Sequence, residues 1–154
     1  MLVIKRVLIG LGVLFLALIV LVWSLGETAS AFRKEQEPIA KSFVTELSRH
    51  WSITDLPSDR LTDPFRQQML SIQGQQVLHQ FKQLGVLTAA RDFGLYNYST
   101  GLRGLSGVVT FKATFENGDA TVYVTVIKKD NKTQISGISV ANAHLSPAQR
   151  RTDT

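Results

Sequence analysis

Gly107–Lys128, GVVTFKATFENGDATVYVTVIK, decides the fold, because turn chemistry and alternation agree along it residue by residue. Asn117-Gly118 is a preferred pair for a two-residue type I′ turn, in which both central residues need positive φ. With Glu116 set opposite Asp119, the pairs Phe115/Ala120, Ala113/Val122, Phe111/Val124 and Val109/Val126 fall on one face, and Thr114/Thr121, Lys112/Tyr123 and Thr110/Thr125 on the other. Successive side chains point to opposite faces, so a slip of one residue would turn the whole apolar set towards water. The stretch therefore predicts an antiparallel hairpin with one buried side.

Working outward, Asp130-Asn131 predicts a second tight turn and Thr133–Ala141, TQISGISVA, a last strand. Ile135 and Ile138 cannot share a face under strict alternation, so a bulge is expected near Ser136-Gly137. From Asn142 onward the chain is polar and reads as a fraying tail over 142–154. Upstream, Val86–Tyr98, VLTAARDFGLYNY, reads as a first strand with a bend at Gly94, and Ser99–Gly107, with glycines at 101, 104 and 107, as a mobile connection.

The segments before the sheet have helical periods. Pro38 suits a first helical turn, and Ile39, Phe43, Leu47 and Trp51 recur every fourth residue with Ala40, Val44 and His50 beside them, an apolar stripe that needs a sheet to lie on. His50 is expected to be partly buried there. Ser52–Pro64 reads as a connection with one helical turn near Ser58–Leu61, and Ser58 or Asp63 as a cap. Two shorter helices follow, PFRQQMLSIQ and GQQVLHQFKQLG, with Gly74 as the break; Val77, Leu78, Phe81 and Leu84 form the apolar face and Gly85 closes the second.

Val7–Leu25 is a run of 19 residues without a charge. At about 1.5 Å per helical residue it matches a hydrocarbon core of about 30 Å. Trp23 sits near its outer end, Lys5 and Arg6 precede it and Glu27 follows, so the charge bias keeps the N-terminus in the cytoplasm and sends the rest across. A cleaved signal peptide is the competing reading, because Ala29-Ser30-Ala31 has a small-x-small form; the length of the apolar run favours the anchor. The expected organisation is a stub and anchor over 1–31, a charged link over 32–37, and one domain over 38–141.

The chain has 154 residues, a net charge of +5 and no cysteine. Disulfides, thiolate metal sites and a cysteine nucleophile are excluded. Its basic residues are scattered, with Lys128-Lys129 and Arg150-Arg151 as short solvated pairs, which argues against a nucleic-acid partner. Asp55, Asp59 and Asp63 lack the glycine and terminal Glu of a calcium loop, and the dispersed His50, His79 and His144 have no metal-ligand spacing. No cofactor or metal is expected. Nor do Ser71, Ser106 and Ser136 stand in a GxSxG context, or the glycines at 101, 104 and 107 in a phosphate loop.

The order of elements from Pro38 to Ala141, the FKQLG close of the last helix (Phe81–Gly85), the FENGDATVYVTV hairpin and the QISGISVAN strand resemble the NTF2-like, cystatin-related domains found behind an N-terminal anchor in bacterial envelope proteins. The resemblance covers most of the chain after the anchor; a tryptophan often present in the last strand of such domains is replaced here by the stretch Lys132-Thr133-Gln134-Ile135. It implies an α+β fold in which helices pack on a four-stranded, curved antiparallel sheet to form a cone, held at the inner membrane with the domain in the periplasm, or released there by cleavage near Ala31.

Enzymes of that fold carry an acid or base inside the cone, whereas the inward row here is Val109, Phe111, Ala113, Phe115, Val122, Val124 and Val126. Asp92, beside Tyr96 or Tyr98, is the carboxylate from which a weaker, enzymatic alternative would start. Aromatic and arginine side chains are enriched at protein interfaces, so Trp51, Tyr96, Tyr98, Tyr123 and Arg103 are the candidate binding residues. The expectation is a single-pass envelope protein that binds another protein as a subunit or accessory of a membrane complex, with a homo-oligomer left open. The alternative is an apolar small molecule held in the cone.

Overall fold

In the computed structural model, Ile19 and residues 28–146 are described. The chain divides into two units, Met1–Lys34 and Glu35–Thr154. The described part of the first, Ile19 and residues 28–34, is helical. The link expected over 32–37 is therefore helix, as are Ala29-Ser30-Ala31, and Pro38 has helical residues on both sides rather than standing at a first turn. Among the described residues no helix is long and apolar enough to cross a membrane. The anchor expected over Val7–Leu25 lies, apart from Ile19, outside those residues.

The second unit is α+β. Its sheet is an antiparallel meander of β1 (Leu87–Gly101), β2 (Gly104–Phe115), β3 (Gly118–Lys129) and β4 (Lys132–Leu145) in the order β1-β2-β3-β4. Three helices accompany it: α1 (35–50), α2 (Asp63–Leu70) and α3 (Ile72–Lys82), with single 3-10 turns at Ile53–Asp55 and Ser58–Arg60.

The central hairpin buries the side that alternation predicts, but in a different register. Phe115 pairs with Gly118, Phe111 with Val122 and Val109 with Val124, so the turn is Glu116-Asn117 and the ladder is shifted by two residues from the expected one. A shift of two keeps every side chain on its face. The type I′ backbone appears instead at Asp130-Asn131, where both φ angles are positive (50° and 59°). Tertiary contacts hold the observed turn: Asn117 N–H donates to the Leu84 carbonyl (3.0 Å), Glu116 N–H to Val86 (3.0 Å), and Ser146 N–H to the Asn117 carbonyl (2.8 Å). The Asn117 amide adds a bond to the Gln83 carbonyl (3.1 Å).

Bulges curve the two edge strands. Along β1 the pairing with β2 shifts between Leu87/Ala89, Arg91/Gly94 and Tyr96/Ser99. Asp92 and Asn97 take positive φ there, a conformation that Asp and Asn tolerate better than other side chains. In β4 the expected bulge falls at Ser136, between Ile135 opposite Val126 and Gly137 opposite Thr125, and it returns Ile138 and Val140 to the side of Ile135. Two sequence expectations are corrected here. Residues 99–107 are not a mobile connection, since β1 and β2 extend to a two-residue turn at Leu102-Arg103, and Asn142–Leu145 belong to β4 rather than to a tail.

Helix α1 lays Ala40, Phe43, Val44 and Leu47 into the core with the hairpin row. Burial of each large side chain is worth about 1.5–3 kcal/mol. Ser48 ties the helix to the sheet by accepting the Leu87 N–H (2.9 Å). Trp51 ends the stripe; its ring lies 5.9 Å from Phe115 and 5.7 Å from Phe81, and its indole N–H donates to the Gly85 carbonyl (3.0 Å). His50 is exposed, because the position next to Trp51 has already turned off the buried stripe. The break between α2 and α3 falls at Ser71, whose hydroxyl accepts the Gly74 N–H (3.2 Å) and caps α3. Gly74 is inside α3, pressed on the Gln68 carbonyl and the Met69 backbone. Neither Ser58 nor Asp63 occupies a cap position: Pro57 and Thr62 do.

Candidate functional site

The elbow between α2 and α3 presents the described residues' most exposed apolar group on regular structure. Leu70 is 44%, Ile72 80% and Val77 39% exposed. Their exposure follows from the cap: Ser71 ends one stripe and begins another, so Leu70 and Ile72 flank it on the outside while Phe65 and Met69 of α2 and Leu78 of α3 point into the core. The elbow borders two hollows. One, of about 390 Å³, lies between Phe65, Met69 and Val77 of the helices and Tyr123, Thr125 and Ile138 of β3 and β4. The other is a shallower hollow of about 540 Å³ lined by Leu70, Ile72, Gln75, Gln76, His79 and Gln80. Glutamine amides stand among the apolar side chains of both hollows, together with His79 in the second.

The inward row is closed over: Val109, Phe111, Val122, Val124 and Val126 are buried, and neither hollow takes any lining from them. Asp92, the carboxylate from which an enzymatic reading would start, is exposed on its bulge with Lys112 Nζ 3.4 Å away, and neither elbow hollow takes lining from it. Glu46 has a displaced pKa. The hydrogen bond from Arg60 Nη1 (2.8 Å) holds its carboxyl below the usual range, partial burial opposes this, and the Ser42 hydroxyl (3.1 Å) assists. That cluster joins α1 to the Ser58–Arg60 turn. Among the described residues no three His, Asp or Glu side chains gather as metal ligands.

The candidate interface residues do not converge. Trp51 is in the core, Tyr98 is half-buried, and Arg103 is at the β1–β2 turn. Tyr96 and Tyr123 share the outward face but stand on β1 and β3, with Val108 and Thr110 of β2 as their partners. Of the five, Tyr123 alone lines the elbow cleft. Leu70 and Ile72 were not among the candidates, and the sequence signal for them is weak: an apolar pair around a serine reads as a helix interior until Ser71 is known to be a cap. Compared with protein families, curated proteins and solved structures, the chain gives no match.

Proposed function

We propose that the chain is a single-pass protein of the bacterial inner membrane whose NTF2-like domain stands in the periplasm and docks another protein of the envelope through the α2–α3 elbow. The observation that carries this reading is the exposure of Leu70, Ile72 and Val77 beside a cleft walled by Tyr123. Exposed apolar groups of this kind mark interaction surfaces, and an anchored domain works at high effective concentration, so a modest interface suffices. The apolar run Val7–Leu25 with Lys5 and Arg6 before it supports the location. Affinity purification in mild detergent tests the reading: a stoichiometric partner is expected with the native chain and is lost with Ile72→Glu, a change the fold tolerates because the side chain is already in water. A partner retained by Ile72→Glu, or none with the native chain, contradicts it.

The cleft of about 390 Å³ favours a second reading, a small apolar ligand held against Phe65, Met69 and Tyr123. Native mass spectrometry of the purified chain distinguishes it by a co-purifying mass that Met69→Trp removes.

A further inference from the structure

The meander places two turns at one end of the sheet. Leu102-Arg103 joins β1 to β2, Asp130-Asn131 joins β3 to β4, and Leu105 pairs with Lys128 between them. The second unit of the chain begins at the same end, since Glu35 accepts two hydrogen bonds from Lys128 Nζ (2.6 and 2.8 Å). Leu102 is fully exposed at the tip, the most exposed large apolar side chain among the described residues. Gly104 fixes that tip: its φ is 101°, and a Cβ there would overlap the Lys128 carbonyl. The turn that holds Leu102 out is thus built into the backbone.

The charges around this leucine have one sign in excess. Arg103, Lys129 and Lys132 are exposed at these two turns, where Asp130 is the exposed acid of the turn segments 102–103 and 129–132, while Glu35 and Lys128 neutralise each other. A hollow of about 410 Å³ separates the two turns, with Leu102 on one wall and Lys129 and Asn131 on the other. Nine residues, ten residue steps, separate Leu25, the end of the apolar run, from Glu35. Even fully extended they reach no more than about 35 Å.

From this we infer that the hairpin tips at the Leu102 end are a membrane-contact surface: Leu102 enters the interface of an anionic bilayer while Arg103, Lys129 and Lys132 meet its phosphate headgroups. The inference rests on the anchor reading of Val7–Leu25. A lone apolar side chain gives little affinity, but here the anchor supplies the encounter and the tip has only to orient the domain. Apolar tip and cationic flank together are the chemistry that anionic interfaces select. The hollows at the α2–α3 elbow share no lining residue with the hollow between these turns, so this orientation leaves the elbow open to a partner.

The chain has no cysteine, so single labelling sites are clean. The full chain carrying Thr100→Cys, beside the tip, or Lys82→Cys, at the end of α3, is spin-labelled and placed in nanodiscs of phosphatidylcholine with phosphatidylglycerol. Collision with a neutral, water-soluble nickel chelate is then measured. The label at position 100 is expected to be shielded several-fold relative to that at 82, and Leu102→Asp should abolish the shielding. Equal accessibility at the two sites in a chain that co-elutes with the discs overturns the tip contact and leaves the anchor standing. A chain that fails to co-elute overturns the anchor, and the tip contact falls with it.

Discussion

Gln36 and Ser48 are the buried polar side chains among the described residues of the second unit, and their surroundings differ. Ser48 donates to the Thr45 carbonyl (3.1 Å) and accepts the Leu87 N–H, so both of its roles are filled. Ser48→Ala strands a buried N–H and should cost about 1–3 kcal/mol in urea unfolding. Gln36 has neither amide atom hydrogen-bonded. Gln36→Met keeps the volume and removes that desolvation penalty, so it should raise the unfolding free energy by about 1 kcal/mol or more; a lower value would mean that the amide has a use. Glu46 adds a pH signature. Its folded pKa is lowered from the ordinary 4.5, so its contribution is present above that value and is lost as the pH falls through the folded one. The pair with Arg60 is about one-third exposed on both sides, which limits its worth to about 0.2–1 kcal/mol. Glu46→Gln should be destabilising by that much at neutral pH, with the difference from the native chain closing below pH 4.5. A difference that is flat with pH would dissociate the pair from stability.

At the scale of elements, the hairpin register separates what local pattern specifies from what tertiary contacts decide. Alternation identified the buried face of β2 and β3 because the period of two survives any even shift. It could not place the turn. Asn117-Gly118 satisfies type I′ chemistry locally, yet the bonds from residues 84, 86 and 146 hold Glu116-Asn117 as the turn, and those partners are remote in sequence. The bulge at Ser136 was legible because two isoleucines needed one face, whereas those of β1 at Asp92 and Asn97 show only as Asx residues in a strand. The observed register is testable with introduced cysteines. Thr110→Cys with Tyr123→Cys, which face each other directly, should close a disulfide on mild oxidation, while Thr110→Cys with Thr125→Cys, a diagonal pair, should not. The reverse result would restore the type I′ hairpin. For the α2–α3 elbow, Gly74→Ala places a methyl on the Gln68 carbonyl and should cost about 1–3 kcal/mol of overpacking, with the elbow splayed.

For the whole molecule, the order of helices before a four-stranded meander was legible because each segment has its own period. The proposed docking surface was not. Aromatic side chains were the guide, but Trp51 serves the core, and the exposed group is aliphatic and made by a cap. What is proposed is a sheet-and-helix domain behind an anchor, with the elbow as the face offered to a partner. Site-specific photo-crosslinking in living cells tests that most directly. A benzophenone side chain at Ile72 should give one discrete heavier adduct on irradiation, and one at Thr88, exposed on β1, should give none. An adduct at position 88 with none at 72 would contradict the central claim.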